Sequence, residues 1–267
     1  MRELLPQPKS YCKALKRGLL AVMLQYLLLF LIGLVAGTLN VIAGGGSFLT
    51  IPLLIFMGLP PIVANGTNRV GILCQNITAS WSFQRHGVVD WKYVRWATGP
   101  AVIGALIGSK IAIVIGDELF KNILAGLMIG VTLWTLWDPL KNRTGGDEAK
   151  PFNRIALMGG FFLVGIYGGF VQAGVGFLVL AATTLAGLDL VKGNAVKVLS
   201  ILAYTFISLA IFAWEGKVDW TLGLVLAAGT MLGSQVGVHL TVLKGHRWIK
   251  KVVTVVVIIM AIKLIIS

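Results

Sequence analysis

The sequence predicts an all-α protein that crosses a membrane many times. Of its 267 residues, 57% are hydrophobic and 12% are charged, whereas a soluble domain has roughly 45–50% apolar and about 25% charged residues. No Asp, Glu, Lys, Arg or His occurs between Arg17 and Arg69, a run of 51 residues, or between Arg154 and Asp189, a run of 34. One helical crossing needs about 20 apolar residues. Each run therefore contains more than one membrane segment.

Apolar stretches bounded by charged residues or proline predict about eight full-length membrane helices. They cover residues 19–43, 62–84, 93–115, 119–137, 154–174, 190–213, 219–243 and 248–266. Two shorter pieces, 47–57 and 177–187, follow glycine-rich breaks and reach only about 16 Å, half of the hydrocarbon core. Because unpaired backbone cannot face lipid, these pieces are predicted to be broken or re-entrant segments that line an internal cavity.

The chain contains an internal repeat. Residues 48–111 align without a gap to the sequence 129 residues later, and 14 of the 64 aligned pairs are identical. The shared patterns include Gly-x2-Asp-Trp, at Gly87 and at Gly216, and Gly-x3-Gly, at Gly104 and at Gly233. The sequence therefore predicts that a four-helix unit is duplicated.

The repeat also predicts how the two halves lie in the membrane. If the short pieces re-enter, each half has four crossings and the repeat is parallel. With the N-terminal tail inside, the tail and the loops at 85–95, 138–154 and 214–219 then share one side and hold 13 of the 23 Lys and Arg residues. This satisfies the positive-inside rule, although the basic stretch 244–251 falls outside. If the short pieces cross fully, the halves are inverted instead. The basic loops favour the parallel arrangement.

Four segments follow from these boundaries. They are a basic cytoplasmic tail at 1–18, a first membrane repeat at 19–137, a cytoplasmic linker at 138–153 and a second membrane repeat at 154–267.

Polar residues cluster at the glycine breaks, and polar side chains inside a membrane are pointers to function. In each half they lie at the end of the first crossing and at the start of the second. The predicted substrate-binding residues are Asn40, Gly44, Gly45, Gly46, Ser47, Asn65, Asn68 and Arg69 in the first half, and Gln172, Gly174, Gly176, Asn194 and Lys197 in the second.

This combination of residues favours an anion. The first amide hydrogens of a broken helix lack internal partners and carry the positive end of the helix dipole. Arg69 and Lys197 would add positive charge, and Asn65 and Asn194 would donate hydrogen bonds. In the structural alternative, the two cations extend to the membrane interface and the asparagines only satisfy the broken backbone.

One extended pattern resembles a known family. It reads Gly33-x3-Gly37-x6-Gly44-Gly45-Gly46-x5-Pro52-x5-Gly58-Leu59-Pro60, with a helix opening near Ala64 and then Gly87-x2-Asp90-Trp91. The pattern resembles the sulfite exporter TauE/SafE family of membrane permeases, and the similarity runs from about residue 28 to residue 264. The resemblance implies a duplicated four-helix unit, a bacterial-type inner membrane and transport of small, often sulfur-containing, anions.

The predicted function is a secondary permease for a small anion, sulfite or a related organosulfur or carboxylate anion, working by alternating access between the two repeats. The predicted partners are this anion and the lipid bilayer, with no cofactor and no metal. The net charge of +13 comes from residues that flank apolar segments, so nucleic acid is not expected. No sequence feature fixes an oligomeric state.

Two alternatives compete with transport. A membrane-embedded enzyme is disfavoured, because the sequence has no His-Glu-x-x-His motif, no nucleophile elbow and no Walker-type phosphate loop. A structural or assembly subunit would not need duplicated, broken, cavity-lining segments.

Overall fold

The computed structural model describes residues 8–42, 44–137 and 152–266, and this part of the chain contains helices and no strand. The helices are α1 (Pro8–Ile42), α2 (Ser47–Phe56), α3 (Pro61–Arg85), α4 (Trp91–Val114), α5 (Asp117–Trp137), α6 (Arg154–Phe170), α7 (Val175–Leu185), α8 (Leu190–Trp214) and α9 (Trp220–Ile266). Residues 1–7 of the predicted tail and 138–151 of the predicted linker lie outside the described residues.

Most helices begin and end within two residues of the predicted positions. Helix α1 begins earlier than predicted, at Pro8. Helix α6 ends earlier than predicted, at Phe170, because Val171 is extended and Gly174 is left-handed, with φ 70°.

The prediction of two separate helices at 219–243 and 248–266 is wrong, because α9 continues from Trp220 to Ile266. The intervening residues contain one glycine and no proline, and a glycine in a helix costs only about 1 kcal/mol. The aligned position in the first half is a true break. There Gly116 ends α4 and Asp117 accepts a hydrogen bond from the Ile62 amide at 2.9 Å, whereas the second half has a histidine in place of that aspartate.

Within the described residues, four helical stretches are long and apolar enough to cross a membrane. They are Val22–Ile42, Trp91–Val114, Val191–Trp214 and Trp220–Leu243. Helix α3 has 25 residues but buries the polar side chains of Asn65, Asn68, Arg69, Gln75 and Asn76. The predicted count of eight crossings therefore stays a prediction.

The two halves run in opposite directions. Phe212, near the end of α8, packs on Gly66, near the start of α3. Ala195, near the start of α8, lies in one apolar cluster with Phe83, near the end of α3. The corresponding helices α3 and α8 are therefore antiparallel. The predicted parallel arrangement of the repeats is wrong. The halves are inverted, but the short helices do not cross fully as the inverted alternative assumed.

The reason is that each short helix leads back to the end of the bundle at which the helix before it began, so the two helices together make no crossing. Helix α2 leads from the interior to the end of the bundle where α3 begins, which we call the lower end. Helix α7 leads from the interior to the opposite, upper end, where its last residues lie beside the start of α6: the Asn153 amide donates to Ala186 O at 3.2 Å. The loop 85–95 thus lies at the upper end. The loop 214–219 lies at the lower end, where the Asp219 amide donates to Thr67 Oγ1 at 2.9 Å.

The halves are interlocked because the first helix of each packs on the fourth element of the other. In the α1–α9 pair, a Cβ on Gly37 would come within 2.4 Å of Thr230 O. In the α4–α6 pair, a Cβ on Gly165 would come within 2.2 Å of Ala101 O. Contacts this close need small residues on the facing helix surfaces. Both pairs are parallel, and they hold the broken helices between them.

We expect cysteines at the aligned positions 86 and 215 to be accessible from opposite sides of the membrane. His86 and Glu215 are exposed at the upper and lower ends, so His86→Cys and Glu215→Cys separate the two topologies. The measurement is labelling by a membrane-impermeant thiol reagent in intact cells and in inverted vesicles, with Cys12 and Cys74 replaced by serine. Labelling of both cysteines from the same side would contradict the inverted arrangement.

Candidate functional site

The end of α1 is held by side chains of α8. Lys197 Nζ donates to Asn40 O at 3.1 Å and to Val41 O at 2.8 Å. Asn194 Nδ2 donates to Ile42 O at 3.5 Å. The last carbonyls of a helix have no internal partners and carry the negative end of its dipole, so a buried cation stabilises this end.

The end of α6 is held in the same way by α3. Arg69 Nη1 donates to Gly168 O at 3.1 Å and Nη2 to Gly169 O at 2.6 Å. Asn65 Nδ2 donates to Phe170 O at 2.9 Å. The guanidinium also lies 4.5 Å from the ring centroid of Phe212, a favourable cation–π distance. Each half thus supplies one cation and one amide side chain that donate hydrogen bonds to the last carbonyls of the broken helix in the other half. We call this arrangement reciprocal closure.

The starts of α2 and α7 meet in the interior of the bundle. Gly44 precedes α2 and Gly176 lies in the first turn of α7, and a Cβ on either residue would come within 2.2 Å of the other's Cα. Gly44 has φ 95°, which disfavours any other residue. The aligned rings of Phe48 and Phe177 lie 6.4 Å apart beside this contact. The two positive helix ends therefore point toward the same place.

The other predicted residues of the breaks support the backbone. Gly46 packs against α1, where a Cβ would come within 2.1 Å of Ala36 O, and Gly174 packs against the ring of Phe48. Asn68 Nδ2 donates to Ser47 Oγ at 3.3 Å, and its Oδ1 accepts from Thr50 Oγ1 at 2.6 Å. These contacts fix the start of α2 against α3. Gly45 is also buried.

A small cavity lies where these elements meet. It has a volume of about 10 Å³ and is lined by Asn40, Gly44, Ser47, Ile72, Gln75, Asn76, Gln172, Val175, Gly176, Lys197 and Ile201. All four broken helix ends contribute to this lining. Among the predicted site residues, Gly45, Gly46, Asn65, Asn68, Arg69, Gly174 and Asn194 lie behind the wall of the cavity, not on it.

Sequence reasoning missed part of the lining. Gln75 and Asn76 lie about two turns after Asn68 on α3, and Gln75 Oε1 accepts from Asn40 Nδ2 at 3.3 Å. Ile72 and Ile201 are an identical pair of the repeat. The spacing of about seven residues from the polar helix start would place Gln75 and Asn76 on the same helix face. That spacing could have revealed them.

Arg69 and Lys197 are the only charged side chains that are fully buried among the described residues, with 0% and 1% exposure. This excludes the part of the structural alternative in which both cations extend to the membrane interface. The other part agrees with the structure, because Asn65 and Asn194 donate to the last carbonyls of the broken helices. Gln172 connects Arg69 to the cavity wall: its Oε1 lies 3.5 Å from Arg69 Nη1, and its Nε2 donates to Thr205 Oγ1. The described part of the chain has no buried carboxylate to neutralise either cation.

Antiparallel repeats, two broken helices and a buried polar centre are typical of multi-pass membrane transporters. The chain belongs to the Sulfite exporter TauE/SafE family, whose family model matches residues 29–264. This match confirms the family that the glycine and proline pattern indicates.

The curated relatives carry transporter names. "Probable membrane transporter protein" of Haemophilus influenzae is 30% identical over 242 residues, covering 89% of this chain and 93% of the relative. "Probable membrane transporter protein YfcA" of Escherichia coli K12 is 32% identical over 240 residues, covering 88% of each chain. "Probable membrane transporter protein ORF9" of Sinorhizobium sp is 31% identical over 238 residues, covering 88% and 90%. No solved structure matches the chain.

We expect Gly176→Ala to lower the free energy of unfolding by about 1–3 kcal/mol, because the new Cβ would overpack the core at 2.2 Å from the Gly44 Cα. The matched control is Gly159→Ala in α6, where no atom lies within 4 Å of the added Cβ. A helical Gly to Ala change at an open position gains up to about 1 kcal/mol. Thermal unfolding of the purified proteins in detergent measures the stability of both variants. Equal stability of the two variants would contradict the close contact of α2 and α7.

Proposed function

We propose that the protein is a secondary transporter that moves a small anion across the cell membrane. The observation that carries this proposal is the meeting of four helix ends and the field of two buried cations at one cavity. Removing a cation from water without a counter-charge is costly. The helix carbonyls offset part of this cost, and a bound anion would offset the rest.

The proposed substrate class is sulfite or a related organosulfur or carboxylate anion. The family description names sulfite, and the lining offers the donors that an oxyanion accepts. Lys197, the amide groups of Gln75 and Asn76, and the first amide hydrogens of α2 and α7 all face the cavity or border it. The glycines at both helix starts would let the substrate approach the backbone.

The proposed mechanism is alternating access. A cavity of about 10 Å³ has room for about one water molecule, and an oxyanion of four or five heavy atoms is larger. The elements around the cavity must therefore separate before a substrate can enter. In an inverted repeat, the same movement in either half opens opposite ends.

The two ends of the bundle differ in how tightly they are closed. At the lower end, a Cβ on Gly66 would come within 2.0 Å of Lys217 O, and Thr67 binds the same loop. At the upper end, Gly66 aligns with Ala195, which is larger, and Thr67 aligns with Val196, which lacks a hydroxyl group. A cavity of about 500 Å³ lies there, lined by the 87–91 loop and the start of α8. The lower end also has a cavity, of about 600 Å³, lined by the ends of α4 and α8, so cavity size does not favour entry from either end.

We expect Arg69→Met and Lys197→Met each to reduce transport at least tenfold. Each loses a charged hydrogen-bond donor to a helix end and the positive field at the cavity, and a hydrogen bond to a charged group contributes about 1.5–3 kcal/mol. The measurement is counterflow in liposomes with labelled sulfite, thiosulfate, sulfonates and carboxylates. Thermal unfolding reports separately whether each variant is folded.

The matched control is Lys121→Met on α5, whose side chain is exposed. It should transport at the wild-type rate. Lys197→Arg, which retains the charge, should recover part of the activity. Wild-type rates in both Arg69→Met and Lys197→Met would show that the proposed site is wrong.

A further inference from the structure

The charge around the central cavity indicates the magnitude of the ligand's charge as well as its sign. Four helix ends border the cavity: α1 ends at Ile42 and α6 at Phe170, while α2 starts at Ser47 and α7 at Val175. Each helix end carries roughly half an elementary charge, negative at the C-terminus and positive at the N-terminus. Two ends are of each kind, so the helix dipoles cancel. The side chains of Arg69 and Lys197 then leave a net charge of about +2.

No described carboxylate lies close enough to reduce this charge. Asp117, the acidic residue tied to α3, caps the start of that helix at Ile62, at the lower end. Asp219 and Asp189 cap helix starts in the same way, through the amides of Leu222 and Val191. All three carboxylates are at the ends of the bundle and are partly or fully exposed. Water therefore screens them more strongly than it screens the buried cations.

The two cations also offer separate sets of donors. Lys197 borders the cavity directly, beside the Asn40–Gln75 pair. Arg69 lies behind Gln172, and its Nε and the buried hydroxyl of Tyr204 have no partner in the part of the chain that the structure describes. Both groups lie beside Gly168, which Arg69 Nη1 contacts at 3.1 Å and against which the Tyr204 hydroxyl packs. Rotation of Gln172 would open these donors to the cavity.

We propose that the site selects small divalent anions over monovalent anions of the same shape. This inference rests on the proposed transport function and deepens it. A dianion neutralises the charge of +2, whereas a monoanion leaves one buried cation without a counter-charge. At an effective dielectric constant of about 20, one extra charge pair at about 10 Å favours the dianion roughly tenfold in Kd.

The test compares anions matched in shape and different in charge. Sulfate is paired with methanesulfonate, and malonate is paired with malonamate. Binding to the purified wild-type protein is measured by titration calorimetry at constant ionic strength. The expected result is that at least one dianion binds about tenfold or more tightly than its monovalent partner. Equal or tighter binding of both monovalent anions overturns the inference.

Lys197→Met supplies a second measurement. Removing one charge should lower the ratio of dianion to monoanion affinity about tenfold, whereas the exposed control Lys121→Met should keep the wild-type ratio. An unchanged ratio in a folded Lys197→Met protein overturns the inference. If this variant does not fold, the wild-type comparison of the matched anions decides alone.

The outcomes separate the two proposals. If the wild-type protein binds and transports both members of a pair equally, it is an anion transporter without charge selection, and only this inference fails. If it neither binds nor transports any small anion in the counterflow series, the proposed function fails, and the inference fails with it.

Discussion

The structure depends on one constraint, which is that the backbone of a broken helix must be satisfied inside a membrane. Helices α1 and α6 both end within the protein, where water cannot pair their last carbonyls. Lys197 and Asn194 of one half close α1, and Arg69 and Asn65 of the other half close α6. This reciprocal closure places two cations at the centre. It also orients α2 and α7 so that their positive ends face each other.

The close packing of the outer helices makes this reciprocal closure possible. The glycines of α1 and α9, and those of α4 and α6, bring the backbones of the two halves into contact. Each half therefore encloses the broken helix of the other. The cavity lies between the halves and belongs to neither alone, and this is why its lining combines α3 residues with Gln172 and Lys197.

The sequence was sufficient to predict an all-helical chain, both short helices and the polar residues at their breaks. The relative direction of the two halves could not be predicted, because Asn65 aligns with Asn194 whether the halves are parallel or inverted. The density of basic residues was misleading, since loops 85–95 and 214–219 lie at opposite ends. Alignment also pairs Lys197 with Asn68, yet Arg69 is the residue that repeats its role. The two cations lie one alignment position apart, yet both donate to the last carbonyls of a broken helix. This equivalence is visible in the structure and not in the alignment.

The reciprocal closure has a consequence for how the chain is made. Lys197 follows Val41 by 156 residues, which a ribosome adds in roughly 8–30 s at about 5–20 residues per second. During this time the end of α1 has neither its cation nor its packing partner α9. The first half must therefore remain in the bilayer with an open helix end until the second half arrives. A chain truncated before α8 would leave the last carbonyls of α1 without these partners.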